Sequence, residues 1–257
     1  MLSISNLKNK DQAKTYYERD DYYAGKDCPA TWWGRGASEL GLSGNLDRDA
    51  YEGLLDGHLP DGTRLPGGQA NERRPGLDLT FSAPKSVSLT GLLGEDDRVW
   101  QAHREAVSRT LSWIEQTSSK ARVTEDERTR TEHTGNLVVA RFDHETSREL
   151  DPQMHTHAVV MNATRRSDGN WRALSNEEIY RNKMAAGAIY RAELAHGLRA
   201  LGYELTRTHP DGRFEIEGVS REQIERFSTR RAQIERALDE KGLSSAKASE
   251  TAALDSR

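Results

Sequence analysis

The stretch GNLVVARFDHETSRELDPQMHTHAVVMNAT, residues 135–164, decides the fold class because it holds two apolar segments separated by a polar one. The apolar segments predict strands over 135–144 and 153–164, which the short polar loop allows to pair as an antiparallel hairpin. Upstream, GLDLTFS at 76–82 alternates apolar and polar residues, which is typical of a half-buried strand. These segments predict the centre of a mainly antiparallel sheet.

Helical and hairpin patterns flank these strands. Apolar residues on one helical face predict a helix over about 96–118, and residues 24–75 read as loops around one or two short helices. Other helices are predicted over 10–23, after Pro84 with Ser82 or Ser86 as cap, from a capping box of Ser175 and Glu178 to about Leu201, and from a capping box of Ser220 and Gln223 to about Gly242. SDGN and HPDG predict two hairpin turns. This irregular order favours an α+β fold, with helices flanking the sheet, over a doubly wound α/β fold.

Composition excludes several classes of protein. The 257 residues include a single cysteine, so no internal disulfide can form. No segment approaches 18 apolar residues and the N-terminus lacks an apolar signal region, which predicts a cytoplasmic protein without membrane insertion. With 37 basic and 41 acidic residues the net charge is −4, so any nucleic-acid binding is expected to depend on a local basic groove.

Three histidines are the strongest chemical signal. His155 and His157 are two apart on a predicted strand and so share one face, and antiparallel pairing would bring His144 beside them. Three neutral imidazoles leave a divalent cation its full charge and open positions, which suits polarisation of a phosphate. Half-buried strand histidines with polar neighbours are the alternative. Imidazole suits zinc, nickel, manganese or copper better than magnesium, although availability in the cell also matters.

Four tyrosines cluster in YYERDDYY, residues 16–23. On composition alone this pattern favours a packed aromatic face with two surface tyrosines. The chemical alternative is a nucleophile that stores the energy of a phosphodiester bond in a covalent phosphotyrosine, which permits later re-ligation. A phenol has a pKa near 10 and needs a metal, a cation or a base to act in this way.

The segment DLTFSAPKS, residues 78–86, adds an acid and a helix N-terminus. Asp78 is expected either to orient a metal-ligating imidazole through its second nitrogen or to accept the tyrosine proton. Lys85, in the first turn of the helix, would add charge to backbone N–H groups that bind anions. An exposed strand aspartate and an ordinary lysine are the alternatives.

Several longer motifs together resemble one family. They are MLSISN, the paired tyrosines, GRGASELGLSG, GLDLTFSAPKSVSL, TGNLV and HETSRELDPQMHTHAVV. In this order, over about residues 1–230, they are similar to the conjugative relaxases of the MobF class, which belong to the HUH endonuclease superfamily. The resemblance implies an antiparallel sheet flanked by helices, with a helical C-terminal part closing over single-stranded DNA.

The resemblance also implies roles for individual residues. His144, His155 and His157 would bind a divalent metal ion, magnesium, manganese or zinc, with Asp78 as the acidic partner. Tyr16 would nick one DNA strand, giving a 5′-phosphotyrosine adduct and a free 3′-hydroxyl that can re-join the strand. Tyr22 or Tyr23 would act later in transfer, and Tyr17 is the first substitute for Tyr16 as nucleophile.

The same resemblance implies an organisation and partners. The catalytic core is expected over residues 1–215, and a helical segment and tail over 216–257 would lead to a downstream helicase region. Origin-of-transfer plasmid DNA would be the substrate, with relaxosome accessory proteins and a secretion coupling protein as partners in the donor cell. Candidate DNA contacts are Lys85, Arg73, Arg74, Arg165 and Arg172.

Three other functions remain open at this point. A related HUH nuclease of rolling-circle replication shares the chemistry but not the N-terminal position of the tyrosines. A non-catalytic module that binds origin DNA would not need Tyr16 and three histidines. A three-histidine hydrolase acting on a small molecule would form no covalent adduct with DNA.

Overall fold

The computed structural model describes residues 1–7, 30–66, 74–125, 128–147, 149–229 and 232–233. The helix predicted over 10–23 lies outside these ranges, as do Tyr16, Tyr17, Tyr22, Tyr23 and Arg73. No helix in the described part of the chain is both long and apolar enough to cross a membrane.

The elements follow an irregular order along the chain. They are β1 Leu2–Asn6, β2 Thr31–Trp33, α1 Arg35–Glu39, α2 Arg48–Leu55, β3 Gly76–Ser82, α3 Lys85–Leu92, α4 Asp97–Ser118, β4 Lys120–Glu125, β5 Arg128–His133, β6 Val139–Thr146, β7 Pro152–Met161, β8 Thr164–Arg165, β9 Trp171–Arg172, β10 Leu174–Ser175, α5 Glu177–Arg181, α6 Lys183–Ala200, β11 Leu205–Arg207, β12 Phe214–Ile216 and α7 Arg221–Arg226.

The central sheet has five strands in the order β1-β3-β7-β6-β2. Every pair in it is antiparallel, with His144 opposite His155 in the β6–β7 pair and Ser82 opposite His155 in the β3–β7 pair. The other described strands form a sheet in the order β10-β4-β5 and two small hairpins, β8-β9 and β11-β12. The predicted α+β class, with a mainly antiparallel sheet, is confirmed.

Each face of the central sheet is covered by its own hydrophobic cluster. On one face, alternate residues of β3, β6 and β7 pack against α3, α4 and α6, with Phe81, Leu111 and Tyr190 among the fully buried side chains. On the other face, the intervening residues pack against α1 and α2, with Tyr51 and Phe142 at the centre. The imidazoles of the β6–β7 hairpin share this second face.

Residues 76–82 form a strand as predicted, but the prediction that this strand is half-buried is wrong. The strand is present, but it lies between β1 and β7, and every residue except the last is buried. Its polar alternation arises because Asp78 and Thr80 face a buried polar site on the second face. The polar residues that alternate along this strand therefore face a buried polar site and not the solvent.

Two predicted helix starts differ in the structure. Neither Ser82 nor Ser86 caps α3, whose N-cap is Pro84 without a side-chain hydrogen bond. The capping box of Ser175 and Glu178 does not form, because Ser175 is extended and pairs with Lys120 in the β10–β4 ladder. Asn176 takes the N-cap position of α5, and Asn182 separates α5 from α6.

The C-terminal predictions are partly confirmed. Both arms of the capping box of Ser220 and Gln223 are present, and the helix they begin, α7, ends at Arg226. The predicted helix end near Gly242 lies outside the described residues. Both predicted hairpins form, as β8–β9 and β11–β12. The boundary between 215 and 216 falls within β12, whose Ile216 joins the first core cluster, so the division of domains there stays a prediction.

Candidate functional site

Three imidazoles converge at one end of the β6–β7 hairpin, as the spacing of the histidines predicted. The ring centroids of His144 and His155 are 5.1 Å apart, those of His155 and His157 5.1 Å, and those of His144 and His157 5.3 Å. The cause is the register, which sets His144 directly opposite His155 while His157 lies one pleat along the same face. A nearly equilateral triangle of rings results.

The neighbouring strand supplies a carboxylate to one of these rings. Both oxygens of Asp78 lie 3.0 Å from Nδ1 of His157, and the carboxyl side chain is fully buried. Thr80, directly opposite His157 in the β3–β7 ladder, donates a longer hydrogen bond to the same carboxylate. An ionised carboxylate accepts only, so the Nδ1 atom of His157 carries a proton and its Nε2 lone pair is available as a ligand.

Backbone geometry fixes a second ring in the same way. Nδ1 of His155 donates to the carbonyl oxygen of Gln153 over 2.9 Å, which leaves Nε2 as the basic nitrogen. Burial lowers the pKa of His155 well below its ordinary value, and the neighbouring imidazoles of His157 and His144 lower it further. A neutral imidazole with a fixed tautomer is the form that binds metal ions.

These three rings fit a divalent cation in donor chemistry. Within the described residues no group of three or more histidine, cysteine, aspartate or glutamate side chains has the geometry to hold a metal ion as it stands. Coordination at about 2.0–2.2 Å would therefore require the imidazole rings to move. The triangle of ring centroids is compatible with such a movement. Nε2 of His144 is buried, as expected for a nitrogen that faces the interior of a site and not solvent.

Two of the predicted DNA contacts line one cavity. Arg74 and Arg172 border a space of about 480 Å³ between the ends of β3 and β7 and the β9–β10 segment. Arg122 of β4 borders it too, a residue that the sequence analysis missed because β4 itself was not predicted. Arg122 pairs with Glu177 at 2.6 Å, so the cavity wall includes a partly neutralised cation.

The other predicted contacts occupy different surroundings. Arg165 lies 3.6 Å from the Glu39 carboxylate and donates to the carbonyl of Gly169, outside the arginine cavity. Lys85 donates to the carbonyl of Pro152 over 2.8 Å, and burial lowers the pKa of its ammonium group. The amide of Ser86, in the first turn of α3, donates to the Glu215 carboxylate. The N-terminus of α3 is therefore already occupied by a carboxylate of the protein itself, that of Glu215.

Comparison with known proteins identifies the family. The model of the TrwC relaxase family matches residues 10–257. The chain is 42% identical over 269 aligned residues to the multifunctional conjugation protein TraI of Escherichia coli (strain K12), and all of the chain aligns. It spans about 15% of the length of that relative.

Solved structures give the same result. A metal-free complex of the conjugative relaxase TrwC with oriT DNA aligns with a TM-score of 0.89 and 45% identity, over 100% of this chain and 91% of that one. A copper-bound TrwC–oriT complex aligns with a TM-score of 0.90 and 46% identity over the same shares of the two chains. TrwC bound to a 27-mer with the recognition hairpin and the cleavage site aligns with a TM-score of 0.88 and 45% identity, over 100% and 90%. By fold, motifs and family match, this chain belongs to the TrwC relaxases.

Proposed function

We propose that this chain is the nicking module of a conjugative relaxase, which cuts one strand of origin-of-transfer DNA by tyrosine transesterification and can re-join it. The observation that carries the proposal is the triangle of His144, His155 and His157 with the Asp78 carboxylate behind one ring. Family membership supports it, since the related TrwC structures are complexes with oriT DNA.

The three histidines would hold a divalent metal ion, and the copper-bound relative is consistent with imidazole ligation. When bound, such an ion supplies a Lewis acid that offsets negative charge developing on the scissile phosphate. Manganese or zinc suits three imidazoles better than magnesium does, although supply in the cell decides among them.

Of the two roles open to Asp78, the contacts favour orientation of an imidazole. Both carboxylate oxygens lie against Nδ1 of His157, and Thr80 donates to the same group. A carboxylate committed to two partners in a buried ladder is poorly placed to take a proton from an incoming phenol. Asp78 would therefore fix the tautomer and the ring orientation of His157, so that its Nε2 atom is the one presented to the metal ion.

Tyr16 is the proposed nucleophile. Its phenolic oxygen would lose its proton and form the new bond to phosphorus, while the bond from phosphorus to the 3′ oxygen breaks and that oxygen takes up a proton to become a hydroxyl group. The product is a 5′-phosphotyrosine link, and attack by that hydroxyl reverses the step without consuming ATP. Tyr22 or Tyr23 would serve a second transfer, and Tyr17 is the substitute if Tyr16 is not the nucleophile.

DNA binding would depend on a local basic surface. The cavity lined by Arg74, Arg122 and Arg172 is the best supported candidate, because it gathers three arginines at one place in a chain whose net charge is −4. Glu177 partly neutralises Arg122 there. Arg73, Arg165 and Lys85 remain predicted contacts with weaker support. The proposal extends to relaxosome accessory proteins and a secretion coupling protein as partners in the donor-cell cytoplasm.

A covalent-trapping experiment tests this function. The chain is incubated with manganese and single-stranded oligonucleotides carrying candidate origin sequences, and the products are separated in SDS. We expect an SDS-resistant adduct at the 5′ phosphate of the fragment downstream of the cut, and a free 3′-hydroxyl on the upstream fragment. The matched control is the same oligonucleotide with its sequence scrambled.

The outcomes separate the alternatives. Specific binding without any adduct would favour a non-catalytic origin-binding module over the relaxase. Phosphodiester cleavage without a protein-linked product would favour a metallohydrolase that uses water as nucleophile.

A further inference from the structure

On the face of the sheet opposite the imidazoles, a continuous chain of buried polar side chains reaches the two histidine-bearing strands. Tyr190 of α6 contacts His103 of α4, with 2.8 Å between the hydroxyl and Nδ1. Nε2 of His103 lies 2.9 Å from Oγ1 of Thr156. All three side chains are fully buried in a cluster that is otherwise apolar. Burying polar groups among apolar side chains destabilises a protein unless every one of them is hydrogen-bonded.

The chain ends on a carboxylate. Thr156 donates its hydroxyl proton to Oδ1 of Asp143 over 2.6 Å, and Arg104 of α4 donates to Oδ2 over 2.8 Å. Asp143 directly precedes His144, and Thr156 lies between His155 and His157. The β6–β7 register pairs Asp143 with Thr156, next to the pair of His144 and His155.

Counting protons assigns one direction to every hydrogen bond in this chain. The single hydroxyl proton of Thr156 is given to Asp143, so Nε2–H of His103 must donate to Thr156. Burial lowers the pKa of His103 to about 3, so the ring is neutral and has only that one proton. Its Nδ1 atom therefore accepts from Tyr190. A run of donors in one direction that ends on an anion is mutually reinforcing.

We propose that the chain Tyr190–His103–Thr156–Asp143, with Arg104, positions the metal ligands through the backbone of the β6–β7 hairpin. Side chains alternate across a strand, so fixing Thr156 and Asp143 from one face fixes where His155, His157 and His144 project on the other. Helices α4 and α6 anchor the chain, and both pack on the sheet. Thr156 and His103 are positioning residues and do not themselves bind the ion or the DNA. This inference rests on the proposed function only in assuming that the three imidazoles bind a metal.

Thr156→Val tests this series of hydrogen bonds. Valine keeps the shape of the threonine side chain but removes its hydrogen bonds to His103 and Asp143. The matched control is Thr110→Val on α4, because the Thr110 hydroxyl is equally buried but bonds only to the carbonyl of Ala106 in its own helix. Thr156→Ser restores the hydroxyl, and Tyr190→Phe removes only the outermost O–H group and serves if Thr156→Val fails to fold. Thermal unfolding is measured for every variant.

Two readouts separate positioning from mere stability. The first is titration of the metal-free protein with Mn²⁺ and with Co²⁺, whose visible absorption bands report ligand geometry. We expect Thr156→Val to weaken binding about three- to tenfold, below the 10–100-fold typical of a group bonded directly to a ligand. The Co²⁺ bands should change, Thr156→Ser should recover both properties, and Thr110→Val should leave both as in the parent protein. Equal affinity and unchanged bands in Thr156→Val or Tyr190→Phe would overturn the proposal.

The second readout needs no metal. In the ¹H–¹⁵N imidazole spectrum of the metal-free protein, Thr156→Val should shift the resonances of His155 and His157, whereas Thr110→Val should not. If the parent protein binds neither ion, the proposed metal role fails and this spectrum alone decides the positioning role. Imidazole resonances that stay unmoved in Thr156→Val would then refute it.

Discussion

At the residue scale, the feature to test is the negative charge of Asp78, which lies against the imidazole of His157. Asp78→Asn keeps the shape and one acceptor oxygen but removes the negative charge beside Nδ1 of His157. We expect metal affinity to fall about tenfold, at the lower end of losses for partners of metal ligands. His157→Ala, which removes a ligand itself, should lower metal affinity further and reduce nicking in parallel. Isothermal titration with Mn²⁺ and an oligonucleotide-cleavage assay measure the two effects.

Asp61→Asn is the control for this pair, because Asp61 is an exposed carboxylate that accepts only within its own turn, from the amide of Thr63. Its affinity should equal that of the parent protein. Retention of full cleavage by His157→Ala after rigorous removal of metal would contradict the ligand assignment.

The nucleophile is tested by deleting a single oxygen. Tyr16→Phe keeps the aromatic ring, so it would change little if Tyr16 only packed in a core. If Tyr16 attacks the phosphate, the SDS-resistant adduct should disappear while binding of single-stranded DNA persists. Tyr22→Phe and Tyr23→Phe serve as controls that still form the first adduct. A normal adduct from Tyr16→Phe would shift the assignment to Tyr17.

At this scale the sequence predicted that the three imidazoles converge, but not all of the groups that hold them in place. The spacing of His155 and His157 and the strand before them are sufficient to bring three rings together, because strand alternation and antiparallel register are general rules. Asp78 was a candidate orienting group. The contributions of Thr80 and of the Gln153 carbonyl depend on the register of β3 against β7 and on the position of the Gln153 carbonyl within β7, which no residue type reveals.

Among the elements, α1 and the start of the β6 region are held together by one side chain of α4. Oε1 of Glu115 accepts from the amides of Arg35 and Leu137, each over 2.8 Å, and burial raises the pKa of this carboxyl. A Cβ atom at Gly36 would lie 2.8 Å from the carbonyl oxygen of Leu137, so only glycine permits this close approach. The first residues of the motif GRGASELGLSG are therefore explained by packing, because they allow α1 to lie against the backbone of Leu137.

Glu115→Ala should therefore destabilise the protein by about 1.5–4.5 kcal/mol. The buried amide of Leu137 loses its acceptor at about 1–3 kcal/mol, and the exposed hydrogen bond of Arg35 contributes about 0.5–1.5 kcal/mol. Glu115→Gln retains a carbonyl acceptor and should cost less than half as much. Gln116→Ala, at the exposed neighbouring position of the same helix, should stay within about 0.5 kcal/mol. Urea unfolding measures all three, and equal stability of Glu115→Ala and Gln116→Ala would exclude the clamp.

The packing of α4 and α6 on the sheet also makes stability depend on pH. Burial lowers the pKa of His103 to about 3, an effect that the nearby Asp143 carboxylate opposes and that Arg141 and Arg104 reinforce. Between about pH 6.5 and pH 3 the unfolded chain binds a proton at this residue and the folded chain does not. Stability is consequently lost as the pH falls through this window.

His103→Gln, which cannot titrate, should be less stable at pH 7 but lose stability less steeply on acidification. The difference in slope should approach about 1.4 kcal/mol per pH unit between pH 6 and pH 4, the value for one proton. Every other titratable group is common to the two proteins, so its contribution cancels in the comparison. Urea unfolding at a series of pH values gives the slopes, and parallel slopes would mean that His103 is protonated in the folded state.

Element predictions failed where tertiary context overrode a local pattern. Ser175 and Glu178 have the spacing of a capping box, but Ser175 pairs with β4, and Glu178 accepts from Lys120 and Arg181 instead. The β4–β5 hairpin was not predicted because its strands are largely polar, and β5 is mostly exposed. The long helix α4, with one apolar face, was predicted within a residue or two of its bounds. The start of α6 was predicted too early because residues 177–181 form a separate short helix, α5.

Over the whole molecule, a net charge of −4 is unusual for a protein proposed to bind DNA, and the proposal therefore depends on how the arginines are distributed. Arg74, Arg122 and Arg172 line one cavity, whereas many other arginines are paired locally with acids on their own helices, such as Arg48 with Glu52 and Arg221 with Glu225. Phosphate neutralisation releases counterions whatever the total charge of the protein, because the effect depends on local contacts.

Affinity for a single-stranded origin oligonucleotide should accordingly fall steeply with salt. Each lost phosphate contact lowers the slope of log K against log salt by about 0.7 for single strands, so Arg74→Ala and Arg172→Ala should each flatten the line by about that amount. Arg109→Ala is the matched control, because Arg109 is exposed on α4 and its guanidinium faces Glu193 at 3.4 Å. The slopes are measured by fluorescence anisotropy at a series of salt concentrations from about 50 to about 300 mM. A flat line for the parent protein would show that stacking and base contacts, and not phosphate pairing, dominate binding to this chain.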